Sequence, residues 1–150
     1  MAVDGHQIAM GLRAAYLAMH RQSNASLEPE NVTADQFVLL ITLAETDFST
    51  QRELAARTGT DPNTLRAMLL LLEQRGLVTR PPHPKDGRAR SVMLSEQGRT
   101  EIAHLVALSE SIRQRLQDAL GPDDSATLHR LLTRVITAMT DTTPDPSESE

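Results

Sequence analysis

The stretch that most constrains this chain is "STQRELAARTGTDPNTLRAML", residues 49–69. Thr50 and Glu53 hold the two positions of a capping box, so a helix starts at about residue 51. Gly59 supplies the left-handed exit about two turns later. Asp61 then caps a second helix whose first position is Pro62, where a missing N–H does no harm. Ala55 is small where the helices approach, and Leu65 is aliphatic where the second packs back on the first. Two helices crossing steeply over a short turn require that pattern. After "QRG" closes the second helix at Gly76, the period changes. "LVTR" and "RSVMLS" are short strand-like runs around "PPHPKDG", whose proline and Asp-Gly signals demand a turn. Two short helices over a glycine turn, followed at once by a β-hairpin, make a winged helix-turn-helix.

The rest of the chain reads as helix. Ile8, Leu12, Ala15 and Met19 have helical spacing over about 4–22, and the polar run "RQSNASLEPEN" ends that helix. Thr33 and Gln36 form a second capping box, with Val32 placed to staple onto Phe37, and the helix it opens runs to about Glu45. Two more helices follow, from Ser95 to about Leu120 and from Pro122 to about Thr140. The expected architecture is mainly α with a small β-hairpin wing and about six helices, in one domain over 1–140. Helices at about 4–22 and 96–140 flank a winged module at about 33–94. The outer helices are too apolar to stand alone, so the chain is expected to pair with itself. The prolines and acids of "DTTPDPSESE", residues 141–150, cannot join a core, and this tail is expected to be disordered.

Charge is unevenly spread. The net charge is −5, yet between Gln51 and Arg90 eight basic residues face four acidic ones, so that segment is +4 and the remainder −9. A local basic excess on a winged module points to nucleic acid, whereas the acidic total favours the alternative of a winged-helix protein-interaction module. The absence of cysteine excludes disulfides, thiolate zinc sites and iron–sulfur ligation. His6, His20, His83, His104 and His129 lack the short spacing of a metal site, which leaves a metal-dependent regulator as the weakest reading. There is no phosphate-binding glycine loop and no nucleophile motif. Asp123 and Asp124 are explained by the dipole of a helix first turn. No enzyme and no cofactor are expected. Without a signal peptide or a spanning segment, the protein is expected in the cytoplasm and away from membranes.

Geometry assigns the second helix of the module as the DNA reader. Leu65, Met68, Leu69 and Leu72 form its core stripe, while Asn63, Ala67, Leu70 and Gln74 lie opposite, flanked by Arg66, Thr64 and Leu71. Residues near the helix N-terminus enter the major groove first. Arg66 can pair with guanine, Asn63 with adenine, and Thr64 with a base or a phosphate. Thr50 and Gln51 sit at a helix N-terminus suited to a phosphate. Leu70 and Leu71 are left pointing outward. Either one contacts thymine methyl groups, or both pack under the wing or an adjoining helix and wall a cavity. Packing suits Leu71, and Leu70 stays open.

The stretches "VTADQFVLLITL", "STQRELAARTGTDPNTL", "LEQRGLVTRPPHPKDGRAR" and "VMLSEQGR" resemble, in order and spacing, the multiple-antibiotic-resistance regulator (MarR) family of bacteria. The likeness covers about residues 30–100, and the outer helices match by layout. It implies an intertwined homodimer that binds pseudo-palindromic double-stranded operator DNA as a repressor. It also implies release by a small lipophilic or phenolic anion. Leu70 and Leu71 depart from the polar residues usual in the family. "KDGRAR" is similar to the family's Asp-x-Arg wing, which implies Arg88 in the minor groove, Asp86 orienting it, and Lys85, Arg90 and Arg80 on phosphates. The inducer cavity of relatives implies Tyr16, Met19, His20, Phe37 and Leu40 as ligand residues.

Overall fold

Each of the five helices begins on a side chain that accepts a backbone N–H, the group a helix start leaves unpaired. The computed structural model describes residues 2–46 and 49–141. Asp4 caps α1 (Gly5–Leu27), Thr33 caps α2 (Ala34–Ala44), Thr50 caps α3 (Gln51–Thr58) and Asp61 caps α4 (Pro62–Gln74). For α5 (Glu96–Thr140), Ser95 Oγ accepts from the Gly98 N–H at 2.9 Å. Gly121, at φ 71° and ψ 171°, interrupts α5, so the two helices expected on either side of residue 121 are present as one element with a break. Residues 142–150 of the expected tail lie outside the described residues.

Two compact units divide between Ile112 and Arg113. In the first, three strands form an antiparallel sheet in the order β1 (Ser49–Thr50), β3 (Ser91–Leu94), β2 (Val78–Thr79). The β2–β3 pair is the expected hairpin. Strand β1 was not expected, because two residues carry no periodicity; it is registered by Ser49 opposite Val92 and Thr50 opposite Ser91. The core of this unit is leucine-rich: Leu39, Leu40 and Leu43 of α2, Leu54 of α3, and Leu65, Leu69 and Leu72 of α4 are all at most 1% exposed. They meet Val78 and Val92 of the sheet and Leu105 of α5.

Helix α1 runs five residues beyond its expected end at residue 22. The polar run does not stop it, because Asn24 has a tertiary partner and Leu27 is fully buried. Asn24 Oδ1 accepts from the Ala34 N–H at 2.7 Å, fastening α1 to the start of α2. The stop is instead a 3₁₀ turn, Glu28–Glu30, with Pro29 inside it and Asn31 left-handed at φ 54°.

Among the glycines, Gly98 has the closest neighbour. A Cβ there would lie 2.1 Å from the Leu77 carbonyl oxygen, a backbone atom with no rotamer to escape into. Alanine normally gains about 1 kcal/mol over glycine inside a helix. At this position Gly98→Ala is expected to destabilise by about 1–3 kcal/mol, the usual cost of overpacking. Urea denaturation measures it, and a more stable variant would show that α5 can move off β2.

In the second unit α5 continues past Arg113 and exposes Leu116, Leu128, Leu131, Ile136 and Met139. On α1 of the first unit, Ile8, Met10, Leu12, Tyr16, Leu17 and Met19 are likewise exposed.

Candidate nucleic-acid interface

Helix α4 separates its two faces as its sequence demands. At about 100° per residue, the buried Leu65, Leu69 and Leu72 lie opposite Asn63, Ala67, Leu70 and Gln74, all four of which are exposed. Arg66 is exposed on one flank, and Thr64 and Leu71 on the other. Asp61 holds the start of the helix. Its carboxylate accepts from the N–H groups of Asn63 and Thr64 at 3.1 and 3.0 Å and from the Thr64 hydroxyl. The Thr64 hydroxyl bond, more than the backbone bonds, keeps the Asp61 carboxyl below its ordinary range. The proton of Thr64 is therefore committed to the cap, and only its oxygen lone pairs and methyl face outward.

A similar commitment affects α3. The Thr50 N–H donates to Glu53 Oε2 at 3.2 Å, and Thr50 Oγ1 accepts from the Glu53 N–H at 3.2 Å. The box thus occupies the Thr50 donor that the sequence reserves for a phosphate. Gln51, half-buried one residue later, stands in the first turn of α3.

The wing carries the sharpest differences from expectation. Asp86 Oδ1 accepts from the backbone N–H of Arg88 at 3.1 Å, so the carboxylate shapes the turn that presents Arg88. Arg88 and Lys85 are exposed at the tip. Arg80 points back from it. Its Nε bonds Glu73 Oε2 on α4, and this bond lowers the Glu73 carboxyl below its ordinary value. Arg90 Nη1 donates to the Arg80 carbonyl at 3.1 Å. Arg80 and Arg90 brace the base of the wing against the recognition helix.

His83 was missed as a wing residue. Its Nδ1 accepts the N–H groups of Lys85 and Asp86 at 3.1 and 3.2 Å, and the His83 backbone N–H donates to the Ala89 carbonyl at 3.0 Å. A side-chain acceptor just before a Lys-Asp-Gly turn was the available signal, since short polar side chains close turns in this way. Among the described residues, no group of three or more His, Asp or Glu side chains is placed to hold a metal ion.

None of the five residues implied for a ligand lines the cavity at the α1–α2 corner. Leu40 is fully buried in the core, and Phe37 is half-buried against it. Tyr16 and Met19 are exposed on α1. The Tyr16 and His20 rings do meet, with centroids 5.4 Å apart, and His20 Nε2 lies 3.3 Å from Asp35 Oδ1. That cavity, of about 540 Å³, opens where the end of α1, the 3₁₀ turn and the start of α2 face the flank of α4. Asn24, Glu28, Thr33, Gln36, Leu71 and Arg75 are among its lining residues. Leu71 forms one wall of this cavity, as the packing reading expects, but at 51% exposure it is not covered by the wing or an adjoining helix.

Arg75 locks this corner. Its Nη1 and Nη2 donate to the carbonyls of Asn31 and Glu30 at 2.7 and 3.0 Å, tying the end of α4 to the α1–α2 connection. Glu30 also meets His104 Nε2 of α5 at 2.8 Å, and that bond is the largest reason its carboxyl sits below the usual range. Glu101, one turn before His104, goes the other way. Burial first, and the Glu30 carboxylate second, push its carboxyl up, and its Oε1 is shielded from solvent with no hydrogen-bond partner.

The signs of these two shifts are opposite. Glu101, raised in the fold, contributes stability below its unfolded pKa and loses it as pH rises through the raised value. Glu30, lowered, contributes above its unfolded pKa and loses it as pH falls through the lowered value. Glu101→Gln is therefore expected to be more stable than the parent at pH 7.5 and to lose that advantage near pH 3, below the ordinary glutamate value, where Glu101 is protonated in both states. Urea denaturation at the two pH values checks this. A gain of equal size at both would show that packing, not charge, sets the cost.

Two crossed helices, an outward row on the second and a braced β-wing beside it define a winged helix-turn-helix protein of the kind that transcriptional regulators use. The MarR family model matches residues 32–89. The multiple antibiotic resistance protein MarR of Escherichia coli K12 is 33% identical over 118 residues, covering 77% of this chain and 81% of that protein. The chain belongs to the MarR family. A mutant of the E. coli protein solved in complex with operator DNA aligns with a TM-score of 0.79 at 29% identity, over 85% of this chain and 92% of that one. BpsR of Bordetella bronchiseptica, solved in a study of how 6-hydroxynicotinic acid regulates its DNA binding, aligns with a TM-score of 0.80 at 25% identity, over 95% and 99%. The organic hydroperoxide resistance transcriptional regulator of Bacillus subtilis is 31% identical over 93 residues, 62% of this chain, and the chain spans 63% of its length. No helix among the described residues is long and apolar enough to cross a membrane.

Proposed function

We propose that the protein is a homodimeric, sequence-specific duplex-DNA-binding regulator, a repressor that a small lipophilic or phenolic anion releases from a pseudo-palindromic operator. The observation that carries this reading is the exposed row on α4 next to a wing whose tip presents Arg88 and Lys85. Helix α4 lies in the major groove, with Asn63 and Arg66 on base edges. Arg88 enters the minor groove, and Lys85 and the first turn of α3 take phosphates. Arg80, Arg90 and Asp86 act through the shape of the wing. The protein works in the cytoplasm as a binding protein rather than an enzyme.

The ligand site of this reading is the corner cavity. Leu71 and Val32 offer an apolar wall, and Arg75 supplies positive charge beside the amides of Asn24 and Gln36. An aromatic carboxylate in it would compete with Glu30 and Asn31 for the Arg75 guanidinium. Tyr16 and His20 belong to the partner-facing side of α1 in this reading.

Salt dependence tests the core of the proposal. Each phosphate neutralised lowers the logarithm of affinity by about 0.9 per decade of salt. Fluorescence anisotropy with random-sequence duplex is therefore expected to show binding at low salt that falls steeply between 50 and 200 mM. Absence of binding at low salt would overturn the DNA-binding reading, and operator binding unaffected by a panel of phenolic and aromatic carboxylates would overturn the phenolic-anion reading.

A further inference from the structure

Two of the three outward positions of α4 after its first turn are not those of a polar DNA reader. Ala67 and Leu70 follow Asn63 on the outermost row, and only Gln74 restores polarity at its far end. Leu70 is 41% exposed although it lies among leucines that are fully buried. Its neighbour Leu71 is accounted for by the cavity wall, a flank it shares with Arg75. Leu70 faces away from that cavity by about 100° and lies between Ala67 and Gln74. Alone such a leucine would need no explanation, but beside Ala67 it makes an apolar strip in the middle of the outward row.

What meets it must fit a helix that is otherwise built for an anionic groove. The exposed Arg66 flanks the same row, and the surrounding segment from Gln51 to Arg90 carries a charge of +4. A second protein surface would have to bury those charges. The floor of a major groove offers the one apolar group compatible with them, the C5-methyl of thymine. Resting on the DNA-binding reading above, we propose that Ala67 and Leu70 form a methyl-reading strip, with Leu70 specifying thymine at one position of each half-site by contact with its C5-methyl group. The helix then reads hydrogen-bonding edges with Asn63 and Arg66 in its first turn and a half, and methyl groups with the next turn. Such a reader accepts thymine and rejects uracil, although the two present the same hydrogen-bonding edge.

That difference makes the test. An operator is first obtained by selecting bound fragments from genomic DNA, and each thymine of a half-site is then replaced in turn, together with its counterpart in the other half-site, by uracil in a synthetic duplex. Wild-type protein is expected to lose affinity about fourfold at one thymine in each half-site, the worth of one buried methyl-sized group. Leu70→Ala is expected to bind the unmodified operator about as weakly as wild type binds the uracil duplex, and to be indifferent to uracil at that position. A nonzero coupling energy in this double-mutant cycle identifies the pair. Leu70 is exposed, so the variant is expected to fold, and its circular dichroism and melting midpoint verify that. Uracil tolerated at every position, or uracil sensitivity unchanged in Leu70→Ala, would overturn the proposal while leaving operator binding intact. A Leu70→Ala variant with normal operator affinity but altered sedimentation would also overturn it, by assigning Leu70 to a protein interface. Failure to enrich any sequence would overturn the DNA-binding reading itself, and this inference with it.

Discussion

Arg88→Ala is expected to weaken binding to every operator variant alike, by about 1.5–3 kcal/mol per wing, the range for a hydrogen bond to a charged group. It is also expected to flatten any preference for A·T-rich flanks, because an arginine in the minor groove reads width and potential rather than base identity. Its removal should lower the salt slope by about one for each wing. Arg66→Ala is expected to behave differently. A bidentate contact to guanine supplies about 1–3 kcal/mol of discrimination, so its loss relaxes specificity at one position of each half-site and spares the others. Asp86 separates two accounts of the wing. Its carboxylate holds the Arg88 backbone N–H, a bond that an amide oxygen can replace. Asp86→Asn should therefore bind nearly as wild type, and Asp86→Ala should weaken binding as Arg88→Ala does, but less. A panel of single-base operator variants titrated against the four proteins decides the matter. Equal, sequence-independent losses for Arg66→Ala and Arg88→Ala would move Arg66 to a phosphate, and no loss for Arg88→Ala would remove the wing from the groove.

The second large effect concerns assembly. Of the 23 residues of α1, Leu27 alone is buried, while Ile8, at 49% exposure, and Leu12, at 37%, lie on a face that the described residues leave open. An isolated helix of this kind is marginal in water, and most of its stability must come from packing. A second copy of the chain supplies that packing in the proposed homodimer. The double variant Ile8→Asp, Leu12→Asp is expected to convert a dimer to a monomer at micromolar concentration and to lose operator affinity by several hundredfold, since the two half-sites are no longer joined. Sedimentation velocity reads the first effect and anisotropy the second. A wild-type protein that sediments as a stable folded monomer would count against the whole assembly.

What could be read in the residues beforehand follows from how local each feature is. The capping boxes at Thr33 and Thr50, the Asp61 cap and the exit at Gly59 are interactions within three or four residues, and all of them stand where the spacing places them. The break at Gly121 is equally local. Strand β1 is too short to show a period, and it exists only because β3 lies beside it. The extension of α1 depends on Asn24 reaching Ala34, ten residues away, and on a core that receives Leu27. The site shows the same division. The outward row of α4 is a matter of helical period, whereas the pairing of Arg80 with Glu73 and the use of the Thr64 hydroxyl by Asp61 depend on which partner each side chain finds. The cavity draws on residues from Asn24 to Arg75, a span over which no pattern in the sequence can announce proximity.

The Arg75 tie has a consequence in the thermodynamics of linkage. One guanidinium joins the end of α4 to the carbonyls of Glu30 and Asn31, and the same guanidinium lines the cavity. In the proposed mechanism, an anion that recruits Arg75 and a DNA duplex that requires α4 in its present place draw on a single conformational equilibrium. Their coupling is then symmetric: whatever factor the ligand takes from operator affinity, the operator takes from ligand affinity. A typical coupling of about 1–3 kcal/mol corresponds to roughly 5- to 150-fold. Protein seated on its operator would therefore be a poorer receptor than protein in solution by that same factor, and the ligand concentration needed for release would rise with every additional operator copy in the cell.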